Sequence, residues 1–480
     1  MADRELWRLS ATELSQLFDC REISPVEVVE AHLERCRAVN PAINAFVFLD
    51  EAGARTAAVE SERRMMAGKR RGPLDGVPFS VKDNLFVAKL RATWGSRLFA
   101  AFVPERDDLP VSRMRTEGAV LLGKTNTPEF ALAGYTDNAL FGPTRNPWDP
   151  KLTPGGSSGG AAASAAAGMC PIGLATDAGG SIRRPSSYCG VVGLRPSTGR
   201  VLRRHGFPAL ASDLQVIGPI ARTVADVALV YQCIAGIEPR RVPSAALHEQ
   251  PETLAPRRIR LLRAAGDGPV APEISTALLD AASALSRMGH HVDDGPPPYD
   301  LAEIEEVWSV LPAAGLARVL QSFPSWQREV QEDTRKIAER GLELPAWRYV
   351  KALDTMSAAR IRFRALADFD VLLTPMSAAM PWPIGDPYPR SIDGQEVGPR
   401  AATVFATFVN VVDACAVTVP AAISNGGLPV GLQLVGKAGD EQLLLALAEA
   451  YQRQSDFRWP TLSAAHDFPP AMPLPGKGEH

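Results

Sequence analysis

The chain of 480 residues is poor in the features that announce metal, disulfide or membrane chemistry. Its six cysteines (20, 36, 170, 189, 233, 415) are scattered without a CxxC pair, so they read as reduced thiols, not as a disulfide framework or a zinc site. Its seven histidines show no HxxxH or HExxH spacing, and none lies between His32 and His205. No metal and no cofactor are therefore expected. Charge of one sign is also missing: 51 Lys and Arg face 54 Asp and Glu, for a net −3, and the basic runs are short, as at Arg70-Arg71 and Arg203-Arg204. Without a strong basic field, nucleic acid is not an expected partner. Long apolar runs are absent too. The stretch from Leu152 to Thr176 carries no charge, yet its Gly, Ser, Ala and Pro lack the large apolar side chains of a membrane span. The opening MADRELWRLSATELSQLF has charges throughout and no apolar h-region. A cytoplasmic protein with a sizeable core and no membrane partner is expected.

What is present alternates between helix and strand signals. Ser10 or Thr12 can cap a run to Phe18, and Pro25 can open the helix VEVVEAHLERCRAVN. A further helical pattern, EAGARTAAVESERRMMAG, follows. Strands are then predicted at GVPFSVKDN, with period-two alternation, at GAVLLGKTN and at PIGLATD. GGAAASAAAGM between the last two reads as an Ala-rich helix. RRIRLLRAA, a helix over 273–288 and HHVDDG form a βαβ-like unit; ACAVTVPAAIS and LPVGLQLVG flank Asn425-Gly426-Gly427 as a hairpin, and DEQLLLALAEAYQRQ closes as a helix. Residues 238–258 and 380–400 read as surface excursions. Together these indicate an α/β fold with a mixed sheet.

Three motifs compete for the same glycines. GAVLLGKT (118–125) matches the P-loop expression letter for letter, but its middle residues are strand material, a helical VSRMRTEG precedes it, and Pro128 follows closely. A phosphate loop needs strand before and helix after, so a buried strand is the better reading. Gly156-Ser157-Ser158-Gly159-Gly160 matches the nucleophile elbow, yet prolines 143, 147, 150 and 154 upstream preclude the strand that an elbow requires. The third reading uses the whole region. Ser157 lies in one glycine turn, and PIGLATD leads to a second, Ala178-Gly179-Gly180-Ser181, whose successive N–H groups can form an oxyanion-holding nest. Ser181 would then sit beside its own oxyanion hole. With no histidine at hand, lysine is the remaining general-base type, and Lys82 at a strand end is the candidate.

GGSSGG followed by TDAGGSIRRPSSYCGVVGLRPSTG resembles the amidase signature family of amide hydrolases. GVPFSVKDN, GAVLLGKTNTPEFALAGY, FGPTRNPWD, IGPIARTVADVAL, FDVLLTP and GLPVGLQLVG extend the likeness over roughly 70–460. The resemblance implies a single large domain with a central mixed sheet flanked on both faces by helices. Within it, residues 1–68 would be N-terminal helices packing on the core and 69–470 the signature domain proper. It also implies a Ser–cis-Ser–Lys group: Lys82 as base, Ser157 as bridging serine after a cis peptide bond, and Ser181 as nucleophile. Backbone N–H groups of Ala178, Gly179, Gly180 and Ser181 would hold the oxyanion. Leu132, Ala133 and Gly134 would contact the carbonyl side of the substrate. Ser158 would cap the Ala-rich helix or, less simply, support the hydrogen-bond chain. Asp177 and Arg183 would form a structural charge pair, and Asp413 reads as a turn or cap residue.

Within that family two functional classes are expected to differ at particular residues. A free-standing amidase acts alone on a small amide, whereas the A subunit of a glutamyl-tRNA(Gln) amidotransferase releases ammonia from glutamine in a larger assembly. This chain has Arg184 where the subunit typically has glutamine, GLRPSTGRV where KPTYGRV is usual, and LAGYTDN where a Gly-Ser-Ser-Thr-like run is usual. The free-standing class, possible as a homodimer, is preferred; ester or carbamate hydrolysis at the same site stays open. Trp308, Phe323, Trp326, Trp347, Trp382, Tyr388, Phe405 and Phe408 fall in the segments expected to shape the pocket and suggest an apolar or aryl acyl group, although aromatics at such spacings also build cores.

Overall fold

A computed structural model describes residues 5–236, 254–455 and 457. The strands are β1 (Phe46–Leu49), β2 (Pro78–Lys82), β3 (Val120–Thr125), β4 (Ile172–Asp177), β5 (Val192–Arg195), β6 (Val216–Ala221), β7 (Arg258–Leu261), β8 (His291–Asp294), β9 (Val371–Pro375), β10 (Ser391–Ile392), β11 (Gln395–Glu396), β12 (Cys415–Ile423) and β13 (Pro429–Gly436). Eleven of them form one sheet in the order β1-β3-β2-β4-β6-β5-β12-β13-β9-β7-β8. The pair β10 and β11 makes a small ribbon in the 380–400 excursion. The sheet is mixed: β2 runs parallel to β3 and β4, while β4 and β6, β5 and β12, and β12 and β13 run antiparallel.

Side-chain alternation sends each strand's residues to two different cores. In β3, Leu121 joins Phe79, Val81 and Leu174 on one face, while Val120 and Leu122 pack on the other with Val29, Leu33 and the alanines at 161–163. Helices cover both faces, as expected for a sheet whose strands are buried on both sides. The helix Ala11–Asp19 starts at Ser10 and the helix Pro25–Ile43 at Ser24, each with a capping box. Between Pro25–Ile43 and the next helix, Glu51–Met66, lies β1, which pairs antiparallel with β3. No strand is predicted there, because FVFL is short and lies between two strong helical patterns. Residues before 69 therefore contribute a strand to the sheet as well as helices against it.

The other elements follow the sequence reading. GAVLLGKT becomes the buried strand β3; its Lys124 ion-pairs with Asp83 at 3.2 Å and donates to the Leu85 carbonyl at 2.8 Å, so it has no phosphate to hold. The unit 258–294 is parallel β7 and β8 joined by the helix Pro272–Arg287. The Asn425–Gly427 hairpin and the closing helix Glu441–Gln454 are also present. Asp413 sits at a positive φ of 57°, accepts the Thr198 N–H at 3.0 Å and pairs with Arg364 at 2.7 Å, a turn residue as read. Most of the 238–258 excursion lies outside the described residues.

Candidate active site

Strand β2 delivers Lys82 to the sheet's interior end. Phe79 and Val81 take the face packed with aliphatics, and the alternation turns Ser80 and Lys82 toward the helix Gly159–Ala166. Lys82 is fully buried, and its Nζ lies 2.8 Å from Ser157 Oγ, 2.9 Å from Ser158 Oγ and 3.1 Å from Thr176 Oγ1. Among the described residues it has no ion pair. Burial pushes its ammonium well below the ordinary lysine range, opposed only by the charge of Asp177.

The turn carrying Ser157 is shaped by close backbone approach. A Cβ on Gly156 would lie 2.2 Å from the Tyr135 carbonyl oxygen, so only glycine fits, and the Gly156–Ser157 peptide is cis. Ser158 occupies the N-cap position of the helix Gly159–Ala166, but its side chain makes no capping bond. This corrects the simpler expectation for Ser158. The reason is that Thr136 Oγ1 already accepts the Gly159 N–H at 3.1 Å, which frees the Ser158 hydroxyl to accept from Lys82 and donate to the Thr176 carbonyl at 3.1 Å. The Ser158 N–H meanwhile binds the Ser181 carbonyl at 3.1 Å and ties the two serine turns together.

The second turn hangs on Asp177. Burial works against its ionisation, but the Arg183 charge and several hydrogen bonds hold its carboxyl well below the usual carboxylate range. Arg183 grips it with Nε and Nη2, each at 3.1 Å, and reaches on to Gln433 Oε1 at 2.9 Å, Asn410 Oδ1 at 2.6 Å and the Ala406 carbonyl at 3.0 Å. The expected charge pair is thus present. Asp177 also accepts the Gly180 N–H at 2.9 Å and the Ile182 N–H at 3.0 Å. That is a second correction. Of the four expected oxyanion donors, Gly180 is committed to Asp177, and the N–H groups of Ala178, Gly179 and Ser181 remain without an acceptor among the described residues. Gly180 adopts φ 105°, a conformation that favours glycine and turns the chain onward to Ser181.

Ser157, Thr176, Ala178, Gly179 and Ser181 line one cavity of about 1010 Å³ together with Leu132, Ala133 and Gly134; Lys82, Ser158, Asp177, Gly180 and Arg183 lie behind this lining. The Ser181 hydroxyl makes no hydrogen bond to a described residue, and no histidine among the described residues lines the cavity. Of the eight aromatics, Trp308 and Tyr388 line it; Trp308 packs against Gly179, where an added Cβ would lie 2.6 Å from the ring. The others serve elsewhere: Phe323 and Trp326 in an aromatic cluster with Trp94, Trp382, Phe405 and Phe408 in the core, and Trp347 on the surface. Sequence reasoning missed Thr176 and Asn84, which donates to Thr176 Oγ1 at 2.9 Å, although both stand inside the quoted motifs. It also missed Asn410 and Gln433, more than 200 residues from Arg183.

With this geometry in hand, likeness to known proteins is informative. The family model described as Amidase matches residues 27–445. The chain belongs to the amidase family. The A subunit of the glutamyl-tRNA(Gln) amidotransferase from Carboxydothermus hydrogenoformans is 35% identical over 94% of this chain and 98% of its own. Among solved structures, a bacterial aryl acylamidase of the amidase signature family superposes with a TM-score of 0.86 at 29% identity, covering 97% of this chain and 99% of that one. A peptide amidase from Stenotrophomonas maltophilia superposes at 0.80 and 29% identity, covering 94% and 98%. This amidase is accordingly a hydrolase of carbon–nitrogen bonds with the amidase signature fold. No helix among the described residues is long and apolar enough to cross a membrane.

Proposed function

We propose that this amidase hydrolyses a small carboxylic amide by acyl transfer, with Ser181 as nucleophile, Ser157 as proton bridge and Lys82 as base. The observation that carries the reading is a buried lysine with no ion pair, 2.8 Å from Ser157 Oγ in the cavity that holds Ser181. At an unperturbed pKa near 10.4 only about one lysine in 2,500 is neutral at pH 7, so the burial of Lys82 supplies the form that a general base needs.

With Thr176 Oγ1 as an acceptor, hydrogen counting gives that neutral amine an orientation suited to a base. It has two N–H donors and one lone pair. Ser158 gives its own proton to the Thr176 carbonyl, so it can only accept from Lys82. Thr176 Oγ1 takes the other N–H, alongside the bond from Asn84. The lone pair is left for Ser157, whose hydroxyl proton has Nζ as its protein acceptor. Ser157 passes its proton to Lys82 as it takes one from Ser181, and Ser181 Oγ attacks the carbonyl carbon. The oxyanion meets the open N–H groups of Ala178, Gly179 and Ser181. Collapse expels the amine with a proton returned through Ser157, and water releases the acid by the reverse path. Ser181 and Ser157 lack a mutual hydrogen bond here, and such contacts tighten when substrate arrives.

The test is hydrolysis of an aryl amide by the protein alone, alongside Ser181→Ala. Abolished turnover and loss of covalent acyl adduct are expected; full activity in Ser181→Ala refutes the nucleophile assignment. The 35% identity to an amidotransferase A subunit favours a second reading, glutamine hydrolysis within an assembly. Ammonia release from glutamine only after partner subunits are added would select it. An ester bearing the same acyl group would enter by the same acyl-enzyme route, and a carbamate by attack of the same serine on its carbonyl.

A further inference from the structure

Arg184, the residue after the Arg183 hub, is 3% exposed and lines the cavity beside Ser181. Arg183 spends its guanidinium on four partners, whereas Arg184 Nε and Nη2 are buried with no hydrogen-bond partner. Arg184 forms no ion pair with any described residue. Its Nη1 lies 2.9 Å from where a Cβ on Gly134 would stand, and its Nη2 lies 3.6 Å from one on Gly180. The guanidinium is therefore wedged between the segment read as contacting the carbonyl side of the substrate and the residue before Ser181. A second cation, Arg400, lines the same cavity; its Nε makes no hydrogen bond to a described residue but ion-pairs with Glu305 at 3.8 Å. Two guanidiniums on one wall disfavour each other, and a buried cation without a counter-ion is costly. Among the described residues none of the acidic side chains lining the cavity (Glu129, Asp137, Glu332, Asp333, Glu339, Glu343) ion-pairs with Arg184, whereas Glu305 answers Arg400. Glu332 is exposed and paired with Lys336 at 2.7 Å, and Asp137 makes no ion pair with Arg184.

We infer that Arg184 binds a carboxylate carried by the acyl part of the substrate, making the preferred substrates short half-amides of dicarboxylic acids. This rests on the reaction proposed above. The planar fork of Arg184 suits a carboxylate, and its place beside Gly180 sets the anion a short carbon chain from the carbonyl that Ser181 attacks. Such a ligand completes the hydrogen bonding of Nε and Nη2 and separates the two cations by an anion.

The experiment compares succinamate with butanamide, its neutral counterpart, using ammonia release by the full chain and by Arg184→Gln and Arg184→Lys. The kcat/KM ratio of succinamate over butanamide is expected to fall roughly 10- to 100-fold in Arg184→Gln, as for loss of a charge-assisted pair, and to recover in part in Arg184→Lys. A merely structural Arg184 lowers both substrates together and leaves the ratio unchanged, which overturns the inference. Preference for N-butanoylglycine, whose anion is on the leaving side and whose turnover is read as glycine release, also overturns it. Calorimetric binding of succinamate to Ser181→Ala, with and without Arg184→Gln, separates this site from the reaction. Arg184-dependent binding without turnover of any amide in the parent keeps the anion site and removes the proposed chemistry. Turnover without Arg184-dependent binding does the reverse.

Discussion

Replacing Thr176 by valine keeps the side chain's volume and shape while removing the oxygen that accepts from Lys82 at 3.1 Å and from Asn84 at 2.9 Å. Two consequences follow with definite signs. The Thr176 hydroxyl stabilises a charged Lys82 as well as orienting a neutral one, so its loss favours the neutral amine. A hydrogen bond to a charged group contributes about 1.5–3 kcal/mol, which is at most about 1–2 pH units on the lysine. The rising limb of kcat/KM against pH should therefore move down by up to that amount. The plateau should fall as well, because the freed N–H no longer pins the lone pair on Ser157, and positioned proton transfer is worth roughly 100-fold or more. Leaving the Asn84 donor buried without an acceptor should also cost about 1–3 kcal/mol of stability. The assay is a pH–rate profile on an aryl amide together with thermal unfolding. A limb that moves up in pH, or a plateau equal to that of the parent, refutes the assignment of the two N–H groups.

Ser158→Ala removes the other acceptor of Lys82 and should lower kcat by about 10- to 100-fold without the near-complete loss expected of Ser157→Ala; equal losses would mean that the two serines are not divided as proposed. Lys82→Met should abolish activity yet be more stable than the parent at pH 7. The native lysine is depressed below its unfolded value, so parental stability climbs by about 1.4 kcal/mol per pH unit between those values, and the advantage of Lys82→Met should shrink toward pH 10. Thermal unfolding at pH 7 and pH 9 checks this, and a gap that widens with pH contradicts it. Asp177→Asn strands the buried Arg183 cation and should cost about 3–5 kcal/mol, read as a lower denaturation midpoint; an unchanged midpoint would show that the pair does not hold the turn.

The parts of this molecule legible in its sequence are those whose cause is local. Glycine turns mark Ser157 and Ser181 because only glycine permits the approach to Tyr135 and the φ of residue 180. Period-two alternation marks β2, and with it the end at which Lys82 stands. What escapes is set by contacts between distant segments. Thr136 takes over the helix start, and so Ser158 joins the lysine instead of capping, although Thr136 is 23 residues from the N–H it accepts. Asn410 and Gln433 look like ordinary polar residues of a helix and a strand until Arg183 is placed between them. β1 is hidden because four residues carry no period, and its partner β3 lies some 75 residues downstream. The aromatic residues mislead for a related reason: composition does not tell a cavity wall from a core, and two of the eight line the cavity.

The Arg183 hub has a consequence for the order in which the molecule is made. Lys82, Ser157 and Ser181 are all synthesised within the first half of the chain, yet Arg183 finds Ala406, Asn410 and Gln433 only near its end. A ribosome-bound chain stopped before residue 406 holds the three residues proposed to react and none of those three braces for the turn that carries Ser181. On the proposed reading, hydrolysis is expected only from chains long enough to include the last hairpin.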